Sequence, residues 1–192
     1  MKQTKRFWLL VAMALVGAVN TFADITPNDE GVYEIKTPQD LVDFSTLVNS
    51  GNQNPNAILM NDLDMKGINF TPIGPAVMNN TNARKTAYKG TFDGNQKTIY
   101  NLSIETGEDN EFSVGLFSRV YQPGVVKNLY MENVDIITNQ AEGKSVSIGA
   151  IMGHLDRCTV QNCRVFNFTV EESDYTKSST ASTGGLVGYS YK

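Results

Sequence analysis

Three short tetrads recur at one fixed spacing through the second half of this chain, and that register limits the folds open to it. Gly115-Leu116-Phe117-Ser118, Ala150-Ile151-Met152-Gly153 and Gly185-Leu186-Val187-Gly188 share the order small, apolar, apolar, small, each starting 35 residues after the one before. A second motif reads apolar, polar, Asn, apolar, polar, apolar. It occurs as Ile99-Tyr100-Asn101-Leu102-Ser103-Ile104, Val126-Lys127-Asn128-Leu129-Tyr130-Met131 and Val160-Gln161-Asn162-Cys163-Arg164-Val165, at spacings of 27 and 34. Periods of roughly 20–50 residues mark arrays in which no unit buries its own apolar face and each stacks on the next.

The Asn motif predicts a corner. The apolar residues on either side of Asn lie three apart, so the period-2 alternation of a strand is reset there. Val134/Ile136 and Phe168/Val170 continue the alternation afterwards. Asn tolerates left-handed backbone better than most residues, and stacked coils would bring Asn101, Asn128 and Asn162 into a hydrogen-bonded ladder. Leu102, Leu129 and Cys163 are then expected to form an inward column, with Ile104, Met131 and Val165 beside it. The polar stretches Glu105–Glu111, Asn139–Ser145 and Glu171–Thr183 read as loops leaving one edge. The expected fold is all-β, a right-handed parallel β-helix over residues 57–192, with an incomplete coil at the C-terminus.

Residues 24–56 are expected to hold a strand and a cap. Gly31–Ile35 alternates like a strand, and Ala57–Met65 reads as another. Between them Thr37 is a good N-cap, Pro38 suits the first helical position and Asp40 favours the positive helix end. Leu41, Phe44, Leu47 and Val48 recur at helical spacing and Gly51 is a stop, predicting a helix at 38–49 that shields the first coil's open edge.

The N-terminus reads as a secretory signal peptide. Lys2, Lys5 and Arg6 precede the apolar run Phe7–Val19, and Thr21-Phe22-Ala23 offers small residues for cleavage after Ala23. The run is shorter than the roughly 20 residues a spanning helix needs, so no transmembrane segment is expected in the mature chain. Residues 1–23 hold three of the 16 basic residues and none of the 20 acidic ones, so residues 24–192 carry a formal charge of –7. That balance argues against a nucleic-acid binder, which needs a basic footprint. Export permits a disulfide, but five residues of extended strand hold Cys158 and Cys163 about 16 Å apart, too far to bridge without a sharp corner, and two buried thiols are expected.

With the tetrads Gly115-Leu116-Phe117, Ala150-Ile151-Met152 and Gly185-Leu186-Val187, the first two followed by an Asn-containing strand and the third only by Tyr189–Lys192, the chain resembles GLUG-motif repeat proteins. The stretch from Asp62-Leu63-Asp64 through Thr71-Pro72-Ile73-Gly74, Gly90–Asn95 and Thr98–Leu102 is similar to the segment that leads into such repeats. The resemblance covers most of 31–192. It implies an exported, extracellular or surface-exposed β-helical scaffold, of the kind found in adhesin-like chains and in proteins bearing a separate peptidase domain. It implies no catalysis by the repeats themselves.

The residues themselves point the same way. His154, the single histidine, repeats the position of Arg119 and Tyr189 and is expected to be exposed. Two cysteines and one histidine do not make a four-ligand zinc site. Asp62 and Asp64 share a strand face, and with Asp93 and Asn95 could offer oxygens to Ca²⁺ or form a carboxylate site. Asp93-Gly94-Asn95 is equally a turn whose side chains bond their own backbone. Tyr100 and Tyr130 are expected at equivalent outward positions, with Arg164 beside them, where they would suit sugar stacking or a protein partner. The expected function is a non-enzymatic, adhesin-like scaffold for a glycan or protein ligand, with no cofactor required. A fragment of a carbohydrate-active β-helix enzyme and a structural spacer for a further domain are the alternatives.

Overall fold

The computed structural model describes residues 25–74, 84–106, 113–138, 145–172 and 180–191. The expected signal segment 1–23 and most of the polar stretches between strands lie outside them. What is described is a parallel β-solenoid of about three turns, built from four ladders that run its length.

The first ladder stacks β1 (Val32–Ile35), β2 (Asn56–Leu59), β4 (Thr91–Asp93), β9 (Val125–Lys127) and β13 (Thr159–Gln161). The second stacks β3 (Leu63–Asp64), β5 (Thr98–Tyr100), β10 (Tyr130–Thr138) and β14 (Arg164–Glu172), with β6 (Ser103–Thr106) also paired to β10. The third holds β7 (Ser113–Val114), β11 (Ser145–Gly149) and β15 (Thr180–Gly184), and the fourth holds β8 (Phe117–Tyr121), β12 (Met152–Asp156) and β16 (Val187–Tyr191). Pairing between these strands is parallel throughout, as expected when each coil repeats the last.

The tetrads stack in register: Phe117 pairs with Met152 and Met152 with Val187. Ile73 bridges to Phe117, so Thr71-Pro72-Ile73-Gly74 forms the same corner one coil earlier. A glycine is required where the third and fourth ladders close on each other. A Cβ on Gly153 would lie 2.3 Å from the Val114 backbone nitrogen, closer than any real side chain approaches.

Strands run further than the sequence suggested. β6 and β14 reach Thr106 and Glu172, while β11 and β15 begin at Ser145 and Thr180, so the ends of the expected loops are strand. Once a neighbouring coil supplies hydrogen-bond partners, polar residues continue the ladder at little cost. The single strand expected at Ala57–Met65 is two, β2 and β3, with a bend at 60–62.

Helix α1 (Pro38–Asn49) closes the N-terminal end. Thr37 Oγ1 accepts from Asp40 N, while the Asp40 carboxylate accepts from the backbone of Lys36 and Thr37, satisfying amides that the first turn leaves free. Leu41, Phe44 and Val48 are buried to 1% exposure or less, and the Phe44 ring meets those of Tyr33, Tyr88 and Phe92 within about 6 Å. Burying such a side chain is worth roughly 1.5–3 kcal/mol, enough to hold a 12-residue helix that would not persist alone. Asn49 donates to Pro72 O and accepts from Gly74 N, tying α1 to the first corner. The opposite end is open: Leu186 is 40% and Phe166 57% exposed, and Val165, Phe168, Val170 and Val187 are half-buried.

Candidate functional site

The Asn residues form two files rather than one. In the first, Asn162 Nδ2 donates to Asn128 Oδ1 at 3.1 Å and Asn128 Nδ2 to Asp93 Oδ1 at 3.0 Å. In the second, Asn167 donates to Asn133 at 3.0 Å, Asn133 to Asn101 at 3.3 Å and Asn101 to Asp64 at 2.9 Å. All five Asn residues are left-handed, with φ between 53° and 58°. Asn101 therefore does not stack with Asn128 and Asn162, because each coil turns two Asn corners with the same local pattern. The inward column divides likewise. Ile104 pairs with Ile136, whereas Met131 pairs with Ile99 and Val165.

The same shift separates the tyrosines. Tyr100 lies opposite Glu132, which pairs onward with Phe166, so Tyr100 and Tyr130 are not equivalent. Tyr130 and Arg164 do meet, with the guanidinium 5.3 Å from the ring centroid.

The acidic residues are committed to the scaffold. Asp62 accepts from Thr98 N, and Asp64 from Asn101 Nδ2 and Lys66 N. Asp93 accepts from Asn128 and from Asn95 N, and pairs with Lys127 Nζ at 3.1 Å. The Asn101 bond holds the Asp64 carboxyl below its ordinary range. Burial pushes Asp93 up, but its bonds to Asn128, Asn95 N and Lys127 outweigh that and hold it low. Asn95 turns its amide to Leu59 O. Asp62, Asp64, Asp93 and Asn95 thus serve four separate backbone positions, and among the described residues no three acidic, His or Cys groups converge as a metal site.

Cys158 and Cys163 are unbridged and half-buried. Burial pushes the Cys158 thiol up to about 11 and raises that of Cys163, which disfavours the reactive thiolate at both.

A built site lies instead on the outer face of the fourth ladder. Alternation along β8, β12 and β16 sends Arg119, His154 and Tyr189 outward as one register row, and Tyr121, Asp156 and Tyr191 as the next. Arg84 reaches in from a chain segment earlier. Arg84, Arg119, His154, Asp156, Tyr189 and Tyr191 line a cavity of about 420 Å³. Asp156, 1% exposed, is held by Arg84 Nε at 2.9 Å and Arg157 Nε at 3.3 Å. Both guanidiniums also face the Tyr121 ring, at 5.5 and 5.3 Å from its centroid. Arg119 is 8% exposed and its Nη2 lies 3.1 Å from His154 Nδ1. Burial first, and then the Arg119 charge, push the imidazole down to about 4. His154 is therefore neutral near pH 7, with Nδ1 accepting from Arg119 and its proton on Nε2. It is half-buried, against the expectation of exposure, because Arg119 and Tyr189 pack on either side of it.

Arg84, Arg119, Asp156, Tyr189 and Tyr191 were not visible as a set in the sequence. The signal was the row two residues past each tetrad, where Arg119, His154 and Tyr189 share a repeat position. Asp156 and Arg84 lie 72 residues apart and no motif links them.

Fold and site together define a parallel β-solenoid repeat protein with a cationic, aromatic-edged cavity on one outer ladder. No known family profile matches the chain. It is similar to Halomucin from Haloquadratum walsbyi (strain DSM 16790 / HBSQ001), 36% identical over 125 residues. That match takes in 65% of this chain and about 1% of the relative's length. Among solved structures, an immunoglobulin A1 protease candidate from Bacteroides ovatus aligns at a TM-score of 0.46 and 14% identity, over 85% of this chain and 75% of that one. So slight a likeness has no bearing on function.

Proposed function

We propose that this chain is a non-enzymatic, exported β-solenoid module, displayed at a cell surface or released, that binds an extracellular glycan or protein ligand in an adhesin-like manner. The binding surface is the outer face of β8, β12 and β16. One observation carries this reading: Arg119 is nine-tenths buried and lines the cavity, yet its Nε has no partner among the described residues. A buried donor left unmet costs about 1–3 kcal/mol, a cost that a residue serving stability alone has no reason to carry beside a cavity.

Three further features support the reading. The sequence resembles GLUG-motif repeats, which belong to exported scaffolds. The similarity to a short stretch of Halomucin fits a repeat module used within a very long chain. The acidic residues first considered for chemistry are engaged in corner hydrogen bonds.

The test is a glycan and extracellular-matrix array probed with the purified chain, with product analysis on any polysaccharide retained. Binding without cleavage is the expected result. Cleavage products would replace this reading with that of a carbohydrate-active enzyme, and a blank array would leave a structural spacer.

A further inference from the structure

We propose that the cavity on the β8–β12–β16 face takes the oxyanion of an acidic saccharide, a uronate carboxylate or a sulfate ester, with the sugar ring against Tyr189 and Tyr191. The inference rests on the binding role proposed above and names the chemistry of the ligand.

Charge comes first. Arg84, Arg119 and Arg157 surround the single carboxylate of Asp156, leaving this face positive on a chain whose formal charge is –4. An anion therefore meets local attraction where the rest of the surface repels it. Directed donors come second. Arg157 gives Nε to Asp156 and Nη2 to the Tyr121 hydroxyl, and so is held as a support for both. Arg119 spends Nη2 on neutral His154 and keeps Nε unpartnered among the described residues, so its planar fork is held in place with a donor left over. Fork geometry of this kind matches the paired oxygens of a carboxylate or sulfate. His154, accepting through Nδ1, carries its proton on Nε2 as a further neutral donor.

The rings decide against a bare ion. Tyr189 and Tyr191 are 45% and 48% exposed at the cavity's edge, and Tyr189 is steadied by the His154 ring 4.9 Å away. Two exposed phenol faces add nothing to an inorganic anion but give a sugar ring an apolar surface with hydroxyls at its rim. A cavity of about 420 Å³ also exceeds what one oxyanion fills. A neutral sugar would occupy the rings and leave Arg119 Nε unmet.

The test is isothermal titration of the purified chain with three oligosaccharides of equal length, from hyaluronan (carboxylate only), keratan sulfate (sulfate only) and chitin (neither), and with sodium sulfate. At least one acidic oligosaccharide should bind about tenfold or more tighter than the chitin oligosaccharide and than sulfate alone, a gap of roughly 1.4 kcal/mol. The better of the two acidic probes identifies the oxyanion. Arg119→Gln and Arg84→Gln should each weaken that binding by about tenfold or more, and Tyr191→Ala should weaken saccharide but not sulfate binding. Arg84 is 46% exposed, so Arg84→Gln keeps the test sharp should Arg119→Gln fold poorly. Equal affinity for acidic and neutral probes, or acidic binding indifferent to Arg84→Gln, overturns the oxyanion assignment while leaving a ligand-binding face. Sulfate binding as tightly as the saccharides overturns the sugar. Failure of every probe overturns the inference, and a blank array beside it removes the broader reading too.

Discussion

Asn162 donates its side-chain amide to Asn128 at 3.1 Å while Asn128 donates to Asp93 at 3.0 Å, so a single residue in the middle of the file holds both coils to which it is joined. Asn128 also carries a φ of 54°. Leucine there removes two hydrogen bonds and adds the strain of left-handed backbone, a combined loss of about 2–4 kcal/mol. Glycine accepts the backbone and removes only the bonds, for about 1–2 kcal/mol. Urea unfolding of Asn128→Leu, Asn128→Gly and the parent should rank them in that order of increasing stability, and a leucine variant as stable as the parent would contradict the file.

His154 should make stability depend on pH in a definite window. Its imidazole is held at about 4 against an ordinary 6.5, so between those values the unfolded chain binds the extra proton. The contribution is whole above the ordinary value and is lost as pH falls toward the lowered one. It amounts to about 1–2 kcal/mol once solvent screening of a half-buried group is allowed for. Below that window the lowered carboxyls of Asp64 and Asp93 take over with the same sign, each losing its contribution as it is protonated. Thermal unfolding across this range should show the slope in the parent and a flatter profile between about 6.5 and 4 in His154→Asn.

Two glycines of neighbouring tetrads should answer oppositely to alanine. At Gly153 the new Cβ meets the Val114 backbone at 2.3 Å, and Gly153→Ala should cost about 2–4 kcal/mol. At Gly185 nothing among the described residues lies within 4 Å and φ is not left-handed, so Gly185→Ala should be neutral or stabilising by up to about 1 kcal/mol. Differential scanning calorimetry of both variants checks the pair.

The thiols should be present but sluggish. With Cys158 pushed up to about 11, its thiolate fraction near pH 8 is about 100-fold below that of an ordinary cysteine. Alkylation of the native chain should be slower by that order, with two equivalents reacting once it is denatured. Absence of free thiol in the denatured, unreduced chain would show a bridge instead.

The helix and its box were legible because Thr37, Pro38 and Asp40 act within one turn, and the tetrads because each lies in register with the next. The Asn corners were legible as corners. Their stacking was misassigned at Asn101 because the pattern recurs within one coil: Val126–Met131 and Met131–Ile136 both read apolar, polar, Asn, apolar, polar, apolar. The uneven spacing of 27 between Asn101 and Asn128 was the trace of that second corner. The cavity was hidden for another reason. Arg84 and Asp156 meet only after the chain has wound around the solenoid, and a row such as Arg119, His154 and Tyr189 looks like ordinary surface until Arg119 is seen to be buried.

Each file of corner amides begins on a carboxylate, Asp64 or Asp93, which can receive a hydrogen bond but never pass one back. Every amide above it points its N–H toward that foot, so the topmost residues, Asn162 and Asn167, turn Oδ1 toward the open end. The stack is thereby polar along its axis in the way a chemical sequence has a head and a tail. A coil laid on that open face is matched only if it carries a side-chain donor at both corners, and one bearing Asp there would set acceptor against acceptor.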